Sequence, residues 1–147
     1  MLPRVEYSVT APASPEELWL AFCDLSRLLG RGIYSEAVWT EGIPWQVGSR
    51  VRYVVLQPVQ ATVAAVVSLS EPPFKVGLIN HALGITAQQL VIFSRIKANT
   101  TRVVMTMDFV GDSTSPTPID VGAALRFYTH DALDTMLDRL LESQRRG

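Results

Sequence analysis

From about residue 38 to residue 110, the sequence is a nearly continuous series of strand-like segments joined by short turns. In the clearest segment, Thr101–Val110, apolar side chains alternate with polar ones, which is the period of a half-buried strand. Short connections favour antiparallel pairing, and a sheet with one face in water needs a cover on its other face. The series therefore predicts an antiparallel sheet and requires one large element to cover it.

Glycine, proline and short polar turns divide the chain into its predicted strands. These strands are Arg4–Thr10, Val38–Gly42, Arg50–Leu56, Val59–Leu69, Lys75–Ala82, Gln88–Lys97 and Thr101–Val110. Pro72 and Pro73 close the fourth of them, since proline cannot donate a hydrogen bond to a strand ladder.

A helix start follows the first strand. Ser14 can cap the helix, Pro15 occupies its first position, and Glu17 can reach back to the Ser14 amide. A second short helical turn is predicted over Ser26–Leu29. These signals predict one or two short helices between the first and second strands.

A long amphipathic helix is predicted from Pro118 to about Ser143, with Thr117 as its cap. Its apolar stripe contains Val121, Ala124, Leu125, Tyr128, Ala132, Leu133, Met136, Leu137, Leu140 and Leu141. Of the predicted elements, this helix alone is large enough to cover the sheet. The fold class is therefore predicted to be α+β.

Composition limits the functions that this chain can have. With 147 residues, of which 48% are hydrophobic, it can bury one substantial core, so we expect a single domain over residues 1–147. Thirteen basic and fourteen acidic residues nearly balance. They form no basic stripe, so nucleic acid is not an expected partner.

Several kinds of site and location are also disfavoured. The single cysteine, Cys23, cannot form an internal disulfide and is interpreted as a small buried hydrophobe. Motifs for a nucleophile elbow, a phosphate loop, a dinucleotide site or a zinc-binding helix are absent from the sequence, so we expect no cofactor and no metal. The chain has no signal-like start and no apolar run of about 20 residues, which predicts a cytoplasmic protein without a membrane span.

Several motifs resemble those of the START/polyketide-cyclase superfamily, also called SRPBCC. They are Val9–Trp19 at the opening strand and helix entry, Glu41-Gly42 and Val47-Gly48 at a pair of turns, and Ser70–Pro73 and Asn99–Val103 at strand junctions. The superfamily often has a glycine pair where Ala98-Asn99 stands here. The motifs are structural, and no catalytic residue carries over with them.

The resemblance implies a helix-grip fold, in which a curved antiparallel sheet of about seven strands wraps around a long C-terminal helix. It also implies a cavity between sheet and helix that holds a small hydrophobic molecule, lipid-like or polyketide-like. The superfamily includes lipid-transfer domains, aromatase/cyclases, pollen-allergen-like proteins and chaperone-activator domains. Binding of such a molecule is therefore the leading functional expectation.

Large or polar side chains on the inner face would line such a cavity. The predicted ligand-binding residues are Trp45, Tyr53, His81, Gln89, Met105, Met107, Phe127 and Tyr128. The two methionines would form an adaptable apolar wall or would simply belong to the core.

Five positions depend on which way their strands face. Alternation lets only one of Arg52 and Tyr53 point inward, and only one of Gln88 and Gln89. Arg95 also interrupts an apolar strand, and exposure is expected for both arginines, because an inward arginine would need a carboxylate or carbonyl partner.

Two other functions are compatible with the sequence. One is an enzyme of the cyclase or dehydratase type, in which His81 acts with Tyr53 or Tyr128 as a general acid or base. That chemistry requires His81 to point inward. The other is a chaperone-activator-like interaction module, which predicts an exposed apolar patch around Ile33, Tyr34, Trp39 and Trp45. The same surface would serve a homodimer.

Overall fold

The computed structural model describes residues 4–29, 32–57, 60–82 and 85–110, together with residues 130, 134, 137 and 138. The strands are β1 (Arg4–Ala11), β2 (Tyr34–Glu41), β3 (Arg50–Val55), β4 (Ala61–Glu71), β5 (Lys75–Ala82), β6 (Ile85–Lys97) and β7 (Thr100–Val110). They form one seven-stranded sheet in the order β1-β7-β6-β5-β4-β3-β2. Every neighbouring pair is antiparallel, which confirms the predicted sheet.

Two short helices follow β1, as the sequence predicts. Helix α1 covers Pro15–Cys23, and a 3-10 helix covers Leu25–Leu28. The cap of α1 is the predicted one: the Glu17 amide donates to the Ser14 hydroxyl at 3.2 Å, and the Ser14 amide donates to the Glu17 carboxylate at 3.3 Å. Reciprocal bonds of this kind satisfy amides that the first helical turn leaves without partners.

Strand β2 differs from its prediction. It begins at Tyr34, four residues before Val38, where the prediction started. Two register shifts interrupt its pairing with β3, one between Tyr34 and Glu36 and one between Trp39 and Glu41. The β2–β3 connection contains the two turn glycines on which the family resemblance partly rests. Gly42 and Gly48 have φ values of 81° and 93°. An L side chain rarely adopts that conformation, so these positions favour glycine.

Helix α1 lies against the inner face of the sheet, defined here as the face that carries the buried side chains of Leu78, Val91 and Val103. Phe22 of α1 meets Phe93 of β6 edge-on, with ring centroids 6.2 Å apart. Arg95 on β6 donates to both oxygens of Glu16 on α1, at 2.7 and 2.9 Å. These contacts hold α1 against β6 at this end of the sheet.

The C-terminal segment reaches the inner face as well. Residues 130, 134, 137 and 138 are helical. The His130 ring stacks on Tyr7 of β1 with centroids 3.7 Å apart, and Leu137 packs against the main core. The rest of the helix predicted from Pro118 to Ser143 lies outside the described residues. In the part of the chain that the structure describes, no helix is long and apolar enough to cross a membrane.

Candidate functional site

The centre of the inner face, away from α1, is only half-buried. Asn80 lies there on β5, the middle strand of the seven, and Gln89 lies beside it on β6. Both side chains are half-buried, although Leu78 and Val91, the next inner-face residues toward α1, are buried. Solvent reaches Asn80 and Gln89 on strands that have neighbours on both sides, so open space adjoins the middle of this face.

Three side chains from three adjacent strands form a hydrogen-bonded chain at this place. The Asn80 amide donates from Nδ2 to Oε1 of Gln89 at 3.2 Å. The Gln89 amide donates in turn from Nε2 to Sδ of Met105 on β7 at 3.4 Å. The alternation of the strands therefore turns Gln89, and not Gln88, toward the interior, while Gln88 is exposed.

Apolar side chains surround the two amides. Met105, which accepts from Gln89, is fully buried and belongs to the core. Met107 pairs with Gln89 across the β6–β7 ladder and is almost fully buried in a cluster with Val5 and Ala87. Val63 on β4 is half-buried and packs against the edge of the main core. The arrangement is a mostly hydrocarbon surface with two amides at its centre.

Tyr53 on β3 lies on the inner face, and Arg52 points the other way. Burial raises the pKa of the Tyr53 phenol to about 12, while the nearby positive charge of Arg27 acts in the opposite direction. Arg52 is exposed and donates to Glu36 at 2.9 Å, which lowers the pKa of that carboxyl. The Tyr53 hydroxyl therefore stays protonated near neutral pH and can serve as a donor.

Arg27 on the 3-10 helix is buried, which the sequence did not predict. Its Nε donates to the Phe22 carbonyl at 3.2 Å, and its guanidinium carbon lies 4.9 Å from the centre of the Phe22 ring. A cation over an aromatic face gains electrostatic stabilisation from the ring. Arg27 therefore places a positive charge inside the protein, close enough to Tyr53 to influence its ionisation.

Replacing Tyr53 with phenylalanine is expected to change how stability responds to alkaline pH. The pKa of the phenol is higher in the folded protein than in the unfolded chain. The contribution of Tyr53 to the free energy of unfolding is therefore fully present below pH 10 and is lost between about pH 10 and pH 12. One such group contributes up to about 1.4 kcal/mol per pH unit in that window. Urea unfolding across the window should show a shallower loss for Tyr53→Phe, and parallel curves for the two proteins would contradict a buried phenol.

Tyr7 joins the edge of the inner face to the C-terminal helical residues. Its hydroxyl donates to Oδ1 of Asp134 at 3.2 Å. Its pKa is raised, first by burial and then by the Asp134 carboxylate. The bond and the stacked His130 ring hold these helical residues against β1.

Several predicted site residues lie elsewhere. Trp45 is buried in an aromatic cluster with Phe22 and Trp39, and its indole donates to the Cys23 carbonyl at 3.0 Å. This loop position, with a φ of 65°, is part of the packed end of the molecule and not of the half-buried centre. Phe127 and Tyr128 lie outside the described residues.

His81 is not on the inner face. It follows Asn80 on β5, so its side chain points to the opposite face, where it is exposed and its Nδ1 lies 2.9 Å from the Thr86 hydroxyl. His81 and Tyr53 are therefore separated by the sheet and cannot converge on one reacting atom. The inward-pointing histidine that the cyclase hypothesis requires is not found at this position.

Asn80 and Arg27 are not among the predicted site residues. The sequence does not distinguish the inward position of Asn80 from that of its neighbour His81, because β5 is apolar on both faces and its pattern does not reveal which side is inner. Arg27 carried no signal, since arginines are mostly exposed.

Cysteine and metal chemistry find no support in the described residues. Burial raises the pKa of the Cys23 thiol to about 12, so the reactive thiolate is not populated near neutral pH. Among the residues that the structure describes, no group of three or more His, Cys, Asp or Glu side chains could hold a metal ion.

A separate open cleft of about 550 Å³ lies between α1 and the β2–β3 loop. Its rim includes Leu20 and Val47, which are 72% and 65% exposed. The patch predicted for an interaction module is not exposed as expected, although one of its residues, Trp45, also lines this cleft. Of its four residues, Trp45 is buried, and Ile33, Tyr34 and Trp39 are half-buried.

Comparison with solved structures identifies the fold. A START superfamily protein from Mycobacterium smegmatis superposes with a TM-score of 0.75 at 13% identity, over 95% of this chain and 97% of that one. The Zhui aromatase/cyclase from Streptomyces sp. R1128 gives 0.74 at 19% identity, over 99% and 95%. Norcoclaurine synthase from Thalictrum flavum, in complex with dopamine and hydroxybenzaldehyde, gives 0.71 at 11% identity, over 97% and 88%.

No protein-family model and no curated protein matches the sequence. At these low identities, the structural likeness establishes the fold alone. The chain therefore has the START/polyketide cyclase-like fold, which confirms the resemblance of its motifs at the level of architecture.

Proposed function

We propose that this protein binds a small, largely apolar molecule against the inner face of its sheet, beside Asn80 and Gln89. The observation that carries the proposal is the half-burial of these two amides at the centre of the face, where Ala65, Leu78 and Val91 beside them are buried. A sheet centre that packing had filled would bury its inward side chains on all sides. Space with apolar walls and a few placed polar groups is typical of a small-molecule site.

The surrounding residues suit an apolar ligand. Val63 and Met107 supply hydrocarbon and sulfur beside the amides, and Tyr53 supplies a protonated hydroxyl further along the face. Methionine adapts its shape to different neighbours, so a wall of this kind tolerates ligands of varied outline. We place the ligand against Val63, Asn80 and Gln89 and leave Trp45 and His81 out of the site.

The structural neighbours support the proposal by analogy of fold. Norcoclaurine synthase was solved with two small aromatic molecules, dopamine and hydroxybenzaldehyde. A fold that accommodates such molecules in one protein can do so in another, although a fold does not fix a function.

Binding is favoured over acid–base catalysis by the chemistry of the described side chains. The amides of Asn80 and Gln89 do not titrate, and the Tyr53 phenol ionises only near pH 12. An efficient general acid or base needs a pKa close to the working pH. These groups orient a molecule well and move protons poorly.

Native mass spectrometry of freshly purified protein, followed by solvent extraction, tests the proposal directly. We expect a bound mass that disappears on denaturation and an apolar compound in the extract. A titration of the emptied protein with N-phenyl-1-naphthylamine, whose emission rises in apolar surroundings, should show saturable binding at one site. If the purified protein shows no bound mass and the emission of N-phenyl-1-naphthylamine does not rise, the proposed function is contradicted.

A further inference from the structure

The polar pair on the inner face has unused hydrogen-bonding capacity. An amide nitrogen carries two N–H donors. Asn80 uses one of them on Gln89, and Gln89 uses one of them on Met105. Within the described residues, the second donor of each amide has no partner. Two donors on adjacent strands therefore border the space in which the ligand is proposed to lie.

One existing bond is also weak. The acceptor for the Gln89 amide is the thioether sulfur of Met105, at 3.4 Å. A thioether is a poor acceptor compared with a carbonyl oxygen. A ligand oxygen that replaced the sulfur as acceptor would make a stronger hydrogen bond with the Gln89 amide. The Asn80 and Gln89 amides therefore favour a ligand that carries an acceptor.

The location of the pair argues against a purely structural role. Asn80 and Gln89 face each other diagonally in the middle of the sheet, among Leu78, Val91 and Met107. A polar group in such surroundings costs free energy unless it is well hydrogen-bonded. Apolar side chains would pack this centre at lower cost, whereas amides give it the ability to recognise a polar atom.

We propose that Asn80 and Gln89 form a recognition site for a carbonyl oxygen on the bound molecule. In this arrangement each amide gives its second N–H donor to that oxygen, and the apolar wall holds the hydrocarbon around it. This inference rests on the proposed function and adds the chemical class of the ligand, a largely apolar ketone, aldehyde or related carbonyl compound. Gln89 is a specificity-determining contact in this arrangement, and Asn80 both contacts the oxygen and holds the Gln89 amide in place.

The test uses two probes of nearly equal shape, 2-acetylnaphthalene and 2-ethylnaphthalene. Each displaces N-phenyl-1-naphthylamine in a competition titration. We expect Gln89→Leu to weaken the ketone by about fivefold, the effect of one neutral hydrogen bond. Binding of 2-ethylnaphthalene should be unchanged or stronger, because leucine enlarges the apolar surface.

Gln88→Leu is the matched control, since Gln88 is the exposed neighbour on the opposite face of β6. It should leave both affinities at the wild-type value. Equal effects of Gln89→Leu on both probes, or no effect on either, would overturn the inference while leaving the proposed function in place. Failure of both probes to bind the wild type would contradict the proposed function and the inference together.

A measurement on the wild type removes any dependence on the variant's folding. Infrared difference spectra of 2-acetylnaphthalene with a ¹³C-labelled carbonyl report hydrogen bonding at the oxygen. We expect the bound carbonyl to absorb at lower frequency than the same compound in hexane. A bound carbonyl that absorbs at the hexane frequency has no donor partner and would refute the assignment.

Discussion

Replacing Phe93 with alanine is expected to destabilise the protein by about 3–5 kcal/mol, the usual cost of removing a buried aromatic ring. Phe93 is 1% exposed and meets the rings of both Trp19 and Phe22 edge-on at 6.2 Å. Removing it takes away the surface on which α1 rests, and the rigid strands around β6 cannot close the gap. Urea unfolding followed by circular dichroism measures the loss.

Phe74 provides a matched control for this prediction. Its carbonyl accepts the Phe93 amide at 2.8 Å, but its own side chain is 46% exposed. Phe74→Ala makes the same substitution, keeps that backbone bond and should cost less than about 1 kcal/mol. If both variants lost the same amount, Phe93 would not be the residue that fastens α1 to the sheet.

The architecture could be predicted because its signals are local. The capping box at Ser14 and Glu17 needs only four residues to be read, and the observed bonds match it. The alternation in Thr101–Val110 is equally direct, and the structure buries Val103, Met105 and Met107 as that pattern indicates. Short turns between such segments leave antiparallel neighbours as the simplest arrangement.

The candidate site could be predicted only in part, because it depends on strand facing and register. Gln89 was predicted, but the choice between Gln88 and Gln89 required the register of β6, which pairs Gln89 with Met107. Asn80 was missed because the central strand is apolar on both faces. Alternation of polar and apolar residues shows which way a strand faces only when one face of the sheet is exposed to water.

His81 also shows that the sequence does not reveal which way β5 faces. Its chemistry made it attractive as an acid or base, but a shift of one position along a strand moves a side chain to the opposite face. Its neighbour Asn80 holds the inward position instead. The residue type drew attention to β5, but His81 lies on the face opposite the proposed site.

Enlarging Val63 to phenylalanine is expected to reduce the affinity for N-phenyl-1-naphthylamine by at least about tenfold, equivalent to about 1.4 kcal/mol. Val63 lies on the inner face of β4, one inner-face position from Ala65, which pairs with Asn80. It is half-buried, so a larger side chain has room to extend into the space where the ligand is proposed to lie. The phenylalanine ring would then occupy the place of the ligand.

The effect on stability separates this explanation from simple overpacking. Extra volume in a filled core usually costs about 1–3 kcal/mol, whereas a ring that enters open space gains contacts and costs little. Val63→Phe should therefore unfold at nearly the wild-type urea concentration while losing its affinity for the probe. Thr62→Phe, on the exposed face of the same strand, is the control and should bind the probe normally. A Val63→Phe protein that is strongly destabilised but still binds the probe would show that side chains fill this region and that the ligand lies elsewhere.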